Sequence, residues 1–227
     1  MAQSVLVIAE SGSGKSTSIR NLDPKETVII NIANKPLPFK GWKSKYTPLD
    51  KSNPDGNLIS VSSGPGVYKA MQHVSDKMPH IKNLVIDDWQ YMSSFEYFDK
   101  ANEKGYDKFT QIAANLAQVA KLPKDLREDL YVFFLTHAEE STDINGNRKV
   151  KAKTVGKMID NALTLEGLFS IVLFGKVRKE DDGSLHYGFE TQNNGENTCK
   201  SPIDMFEDAF IPNDLQYVRE AITAYEN

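Results

Sequence analysis

The sequence predicts an α/β fold: a three-layer core on a mostly parallel sheet, with an antiparallel pair at its C-terminal edge. Three observations carry this. Short apolar runs alternate with longer amphipathic ones, the order that builds βα units. Several short runs are apolar at consecutive positions, as strands buried on both faces are. Late in the chain, Asp182-Gly183 stands as a hairpin turn between Ile171–Arg178 and Leu185–Glu190.

Taken in order, Val5–Ile8, Val28–Ile32, Leu58–Val61, Leu84–Ile86, Tyr131–Leu135 and Phe169–Phe174 read as strands. Ser16–Leu22 reads as a helix that stops before Asp23-Pro24, because proline cannot continue it. Val67–Met78 is bounded by Gly64-Pro65-Gly66 and Pro79. Asp107–Lys121 places Phe109, Ile112, Ala113, Leu116, Val119 and Ala120 on one face. A last helix, from about Asp214 to Tyr225, gathers Leu215, Val218, Ile222 and Tyr225. Right-handed crossovers put helices on both faces of the sheet. Two long loops remain, Lys35–Asn57 and Ala138–Val155, and loops of that length are usually functional.

The 227 residues, 40% hydrophobic and 26% charged, suffice for one sizeable core and fit one domain over 1–227. Formal net charge is −4 and pI about 5.6, so any polyanion contact has to come from a local basic patch. Cys199 is the only cysteine; no intrachain disulfide can form, a reducing compartment is expected, and the thiol reads as an inert small residue. The apolar run Val5–Ile8 is far short of a signal peptide, and no stretch approaches the ~20 apolar residues that cross a bilayer. A cytoplasmic protein without membrane contact is expected.

The strongest motif is Ala9-Glu10-Ser11-Gly12-Ser13-Gly14-Lys15-Ser16, with Thr17 after it, between a strand and a helix. Small residues let backbone N–H groups turn inward onto phosphate oxygens, and the helix N-terminus adds a favourable dipole. In such a loop Lys15 reaches the β- and γ-phosphates, the Ser16 hydroxyl ligates Mg²⁺, and Thr17 lies near the α-phosphate. Alanine stands at Ala9 where the strict pattern has its first glycine.

Asn83-Leu84-Val85-Ile86-Asp87-Asp88 is an apolar strand ending in two carboxylates. Asp87 is the Mg²⁺-associated candidate, through water. Asp88, on the other side of the strand end, either orients or deprotonates the attacking water or caps the segment that follows. Glu96 is the reserve base. Thr136-His137 ends the next strand, where either residue can sense a γ-phosphate. Arg148, Lys149, Lys151, Lys153 and Lys157 fall in ten residues without an acid, which reads as a nucleic-acid-contacting loop or as a solvated hairpin around Ile144-Asn145-Gly146-Asn147. Asp143-x-Asn145-x-Asn147 is not a calcium loop, because Arg148 and Thr154 replace the required glycine and glutamate. Lys176 and Arg178 lie on one side of a strand end, either to reach a neighbouring subunit's γ-phosphate or to face solvent.

Together these residues resemble a phage-encoded family of RecA-like P-loop ATPases implicated in single-strand annealing and recombination. The resemblance spans nearly the whole chain. Beyond the phosphate loop and Asp87-Asp88 it includes Asn31 with Lys35-Pro36-Leu37-Pro38-Phe39-Lys40, Lys104-Gly105-Tyr106-Asp107-Lys108-Phe109 and Phe133-Phe134-Leu135-Thr136-His137. Further on it includes Gly156-Lys157-Met158-Ile159-Asp160, Leu165-Glu166-Gly167-Leu168-Phe169, Lys200-Ser201-Pro202 and Met205-Phe206. It implies a RecA-like core, ATP and Mg²⁺ as ligands, and single-stranded DNA as partner. It also implies a homo-oligomer, ring or filament, with ATP at subunit interfaces, in which Lys176 and Arg178 act in trans. A phage single-strand-binding protein is a further partner, in the bacterial host cytoplasm. RecA relatives end the strand after the phosphate-loop helix in a glutamate, whereas Ile32-Ala33-Asn34-Lys35 carries no acid. Two readings follow: a DNA-dependent ATPase of recombination, and an ATP-gated binding module with little hydrolysis and another partner. A small-molecule kinase needs an arginine-rich lid, and the arginines are only Arg20, Arg127, Arg148, Arg178 and Arg219. In the long loop 35–57, Pro36, Pro38, Trp42 and Tyr46 read as an ordered surface loop or as stacking platforms for a base.

Overall fold

Side-chain alternation along the first strand, β1 (Gln3–Ala9), sets the layering. Val5 and Val7 face one side, Leu6 and Ile8 the other, and all four are buried. The computed structural model describes residues 1–142, 146, 148–154 and 164–226. Within them the remaining strands are β2 (Thr27–Asn31), β3 (Leu58–Ile59), β4 (Asn83–Asp87), β5 (Tyr131–Thr142), β6 (Arg148–Ala152), β7 (Ile171–Lys179), β8 (Leu185–Glu190) and β9 (Phe210–Pro212). The helices are α1 (Trp42–Lys45), α2 (Gly64–Lys77), α3 (Gln90–Asp99), α4 (Asp107–Lys121) and α5 (Leu215–Glu226).

The sheet runs β3-β2-β4-β5-β1-β7-β8-β9. From β3 to β7 every pairing is parallel, and β8 and β9 add antiparallel at the edge. One face carries α2 and α4, whose Val67, Met71, Val74, Ile112, Leu116 and Val119 pack on Leu6, Ile30, Ile86 and Phe134. The other carries α5 and the segment after the phosphate loop, with Ile19, Leu215, Val218 and Ile222 against Val7, Ile29, Val85 and Phe133. This is the three-layer α/β architecture that the sequence predicts. Among the described residues no helix is long and apolar enough to cross a membrane.

Local chemistry explains the element ends. Ser63 caps α2 by accepting from the Gly66 N–H (3.3 Å), with Pro65 in the first turn. Residues Ser16–Asn21 form a 3₁₀ helix rather than the α-helix expected. The run has only six residues before Leu22, whose N–H bonds back to the Ile19 carbonyl (3.0 Å), and so short a run tightens to three-residue spacing. The loop expected at Ala138–Val155 is in part a hairpin: β5 continues past His137, and Glu139 pairs with Lys151 in β6. Tyr46 is 1% exposed and packs edge-on against Phe39, so it cannot serve as a stacking platform for a base. Lys157, residues 144, 145 and 147, Asp143, and the motif segment at Gly156–Asp160 lie outside the described residues.

Candidate nucleotide-binding site

β1 delivers its last residue, Ala9, between His137 of β5 and Gly175 of β7. A Cβ at Gly175 would stand 2.8 Å from the Ala9 Cβ, so the methyl group at the first-glycine place is accommodated by a glycine on the neighbouring strand. The chain then turns through Gly12 (φ 81°) and Gly14 (φ 86°), both left-handed, which aims successive N–H groups inward. Ser13 Oγ donates to the Glu10 carbonyl (2.7 Å) and steadies the turn. The loop borders a cavity of about 600 Å³, within the size range of small-ligand sites. Glu10, Ser11, Gly12, Gly14, Lys15, Ser16 and Thr17 all line it.

The two carboxylates at the end of β4 are fully buried and behave differently. Asp87 Oδ1 accepts from Ser16 Oγ (2.8 Å), while its Oδ2 has no partner. Burial, and then the neighbouring charge of Asp88, raise its pKa above the usual carboxylate value. A buried carboxylate with a spare oxygen, one hydrogen bond from the phosphate-loop hydroxyl, matches the oxygen donors that Mg²⁺ takes alongside substrate phosphates. No cluster of three or more His, Cys, Asp or Glu that could hold a metal unaided occurs among the described residues. The fit is therefore to a cation shared with a phosphate ligand.

Asp88 corrects an expectation. Its backbone is left-handed (φ 59°), and its side chain meets the phosphate-loop lysine. Lys15 Nζ lies 3.1 Å from Oδ1, His137 Nε2 3.5 Å from the same oxygen, and Lys35 Nζ bonds Oδ2. Burial pushes its pKa up, but the hydrogen bond to His137 and the charges of Lys15 and Lys35 hold it well below the usual range. A carboxylate held acidic, with a lysine beside each oxygen, is a poor proton acceptor. Lys35 is in turn shifted up: burial works against its charge, and Asp88 outweighs it.

Glu96 is corrected as well. Its Oε1 accepts from the Gly64 N–H (2.5 Å), and both oxygens accept from Asn115 Nδ2 (3.1 and 2.9 Å). It ties the start of α2 to α4 and does not line the cavity. Of the two sensor candidates, His137 reaches the cavity, its N–H held by Gln90 Oε1 (3.1 Å). Thr136 is 1% exposed, with no partner for its hydroxyl.

The basic residues are not acid-free in space. Arg148 bonds both Glu140 and, at 2.9 Å, Glu10 of the phosphate loop. Lys151 stands 3.9 Å from Glu139, Lys149 bonds the Gly195 carbonyl, and Lys153 is exposed. Sequence spacing does not show this, because the countercharges sit on the opposite arm of the hairpin. Lys176 and Arg178 converge on buried Glu190 (3.1 and 3.6 Å), and Arg178 also covers the Phe210 ring at 3.7 Å.

Four cavity residues escaped the sequence reading as site residues: Arg20, Lys35, Tyr187 and Asn213. Lys35 and Pro36 carried a signal, since they open a motif directly after β2. Tyr187 and Asn213 carried none, being more than 170 residues from the loop they flank. Compared with known proteins, residues 1–203 match a family model described as an AAA domain. No curated protein matches the sequence.

Proposed function

The chain belongs to this AAA-domain family, which carries nucleotide binding and ATPase activity in general, and from that premise we propose an ATPase regulated by single-stranded DNA in phage recombination or annealing. One observation carries the catalytic half of the reading: Lys15 and Ser16 line one cavity behind a turn with left-handed glycines, and buried Asp87 accepts from the Ser16 hydroxyl. A Mg²⁺ ion held here would supply positive charge to offset that of the triphosphate.

Lys15 holds the β- and γ-phosphates, and loop N–H groups cradle their oxygens. Ser16 and Asp87 are the residues that would hold the cation. His137 donates to the γ-phosphate from the far wall, which requires Lys15 to leave Asp88 for the phosphates. Asp88 then stays paired with Lys35, positions that cation and does not take the proton. The DNA half rests on the family resemblance in the sequence and on the exposed Lys153 with its neighbours in β6. Assembly as a ring or filament, with Lys176 and Arg178 acting in trans, belongs to the same reading.

A second reading has its own support. Asp88 is pinned by cations, Glu96 caps a helix, and β2 ends without an acid. General-base catalysis contributes about 10²–10⁴-fold, so its loss suits a slow ATP-gated assembly module. Steady-state hydrolysis with and without single-stranded DNA, beside Lys15→Ala, separates the two. Stimulation by DNA that disappears in the mutant supports the DNA-coupled ATPase. Turnover indifferent to DNA turns the reading to the gated module, and turnover unchanged by Lys15→Ala removes both.

A further inference from the structure

The cavity has two chemically different flanks on either side of β1. On the β5–β4–β2 side stand Lys35 and His137, both backed by the buried Asp88, which suits the terminal phosphate. On the β8–β9 side stand a tyrosine ring, Tyr187, and a neutral amide, Asn213. Such a pair suits an uncharged planar ligand group and offers a phosphate little.

Both side chains press on the phosphate loop itself. A Cβ built at Gly14 would meet Asn213 Nδ2 and Tyr187 Cδ1, each at 3.2 Å. Gly14 therefore serves two needs, its left-handed turn and the close approach of these two groups. Their placement is fixed by backbone bonds. The Asn213 N–H donates to the Tyr187 carbonyl (3.3 Å), and the Arg20 guanidinium donates to the carbonyls of Asn213 (2.7 Å) and Thr17 (3.1 Å). Arg20 thus locks the β9 end to the segment after the loop, with Thr17 on the wall between them.

Asn213 supplies the observation that points to a ligand. It is 4% exposed, lines the cavity, and its Nδ2 has no hydrogen-bond partner. A buried amide donor left unmade is costly, and native proteins leave few. An amide presents one donor beside one acceptor, the pattern that pairs with the N6 amino group and N7 of adenine. Guanine offers two acceptors on that edge, O6 and N7, and sets one against the amide oxygen. An aromatic face beside it stacks any base.

We propose that Tyr187 and Asn213 form the base subsite of this cavity, with Tyr187 stacking on the base and Asn213 selecting adenine over guanine. The subsite rests on the phosphate-loop reading above, and the experiment separates the two. Equilibrium affinities for ATP, GTP and inorganic tripolyphosphate are measured on the full chain and on Asn213→Ala, Tyr187→Ala, Tyr187→Phe and Lys15→Ala. The full chain is expected to favour ATP over GTP by about tenfold or more, and Asn213→Ala to bring that ratio to about one. Tyr187→Ala should weaken ATP and GTP alike, by about tenfold, while Tyr187→Phe keeps both affinities. Tripolyphosphate, which has no base, should bind these three variants as it binds the full chain, and that control also reports a folded site. An unchanged ATP:GTP ratio in Asn213→Ala, or tripolyphosphate affinity falling with that of ATP in the alanine variants, overturns the subsite. Tripolyphosphate binding that ignores Lys15→Ala sinks the phosphate-loop reading instead.

Discussion

Asp88 shows how much one residue's surroundings decide. The same side chain that the sequence offers as a base is, in the fold, the counterion of Lys15 and Lys35 and a neighbour of the His137 ring. Asp88→Asn keeps the shape and removes the charge, leaving Lys15, 6% exposed, short of a partner. Removing one member of a buried pair typically costs about 3 kcal/mol, and urea denaturation should show a loss of that size. The pH dependence has a definite sign. Asp88's native pKa is lowered, so its contribution is complete above an unfolded value of about 4 and is lost as pH falls through the native one. The gap between the natural chain and Asp88→Asn should therefore close as pH drops below about 4. Asp87, shifted up first by burial, acts in the opposite sense in both proteins, less so in Asp88→Asn, where the second cause of its shift is gone. A gap that widens in acid would refute the counterion assignment.

At the scale of elements, legibility followed locality. The phosphate loop is contiguous in sequence, so its residue types, glycine spacing and flanking strand were all visible together. α4 showed a clean apolar stripe, and its bounds are those the periodicity gave. α3 did not, because most of its buried face is polar: Gln90, Ser93 and Glu96 beside Met92. Glu96 is satisfied by distant partners, Gly64 and Asn115, and no window of sequence displays that. β9 is three residues long, too short for any alternation to register, yet it brings Asn213 to the cavity. Glu96 also yields a prediction at this scale. Glu96→Ala leaves the Gly64 N–H and the Asn115 amide without their acceptor, and a buried group so stranded costs about 2 kcal/mol. Thermal denaturation should show the loss, while ATP turnover per folded molecule stays unchanged. A turnover deficit with normal stability would restore Glu96 as a candidate base.

For the whole molecule, the question that the proposed DNA reading raises is how the β5–β6 hairpin could reach the phosphate loop. The hairpin extends the strand that carries His137: the Lys153 N–H donates to the His137 carbonyl (2.8 Å). Arg148, at the hairpin's other end, grips Glu10 of the phosphate loop together with Glu140. On the proposed reading, a nucleic-acid phosphate arriving at Arg148 would compete with both carboxylates, linking its binding to release of Glu10. Exposed ion pairs of this kind are individually weak, which suits an interaction that has to exchange. Two variants separate attraction from coupling. Replacing Lys149, Lys151 and Lys153 with alanine should weaken single-stranded DNA binding and lower its log–log salt slope by about two, since each neutralised phosphate contributes roughly 0.7. Glu10→Gln should leave that slope as it is and reduce the stimulation of hydrolysis by DNA, because the hairpin's grip on the loop is then already loosened. If Glu10→Gln is stimulated as fully as the natural chain, the hairpin holds DNA without informing the loop, and any coupling runs through His137 and the sensor strand.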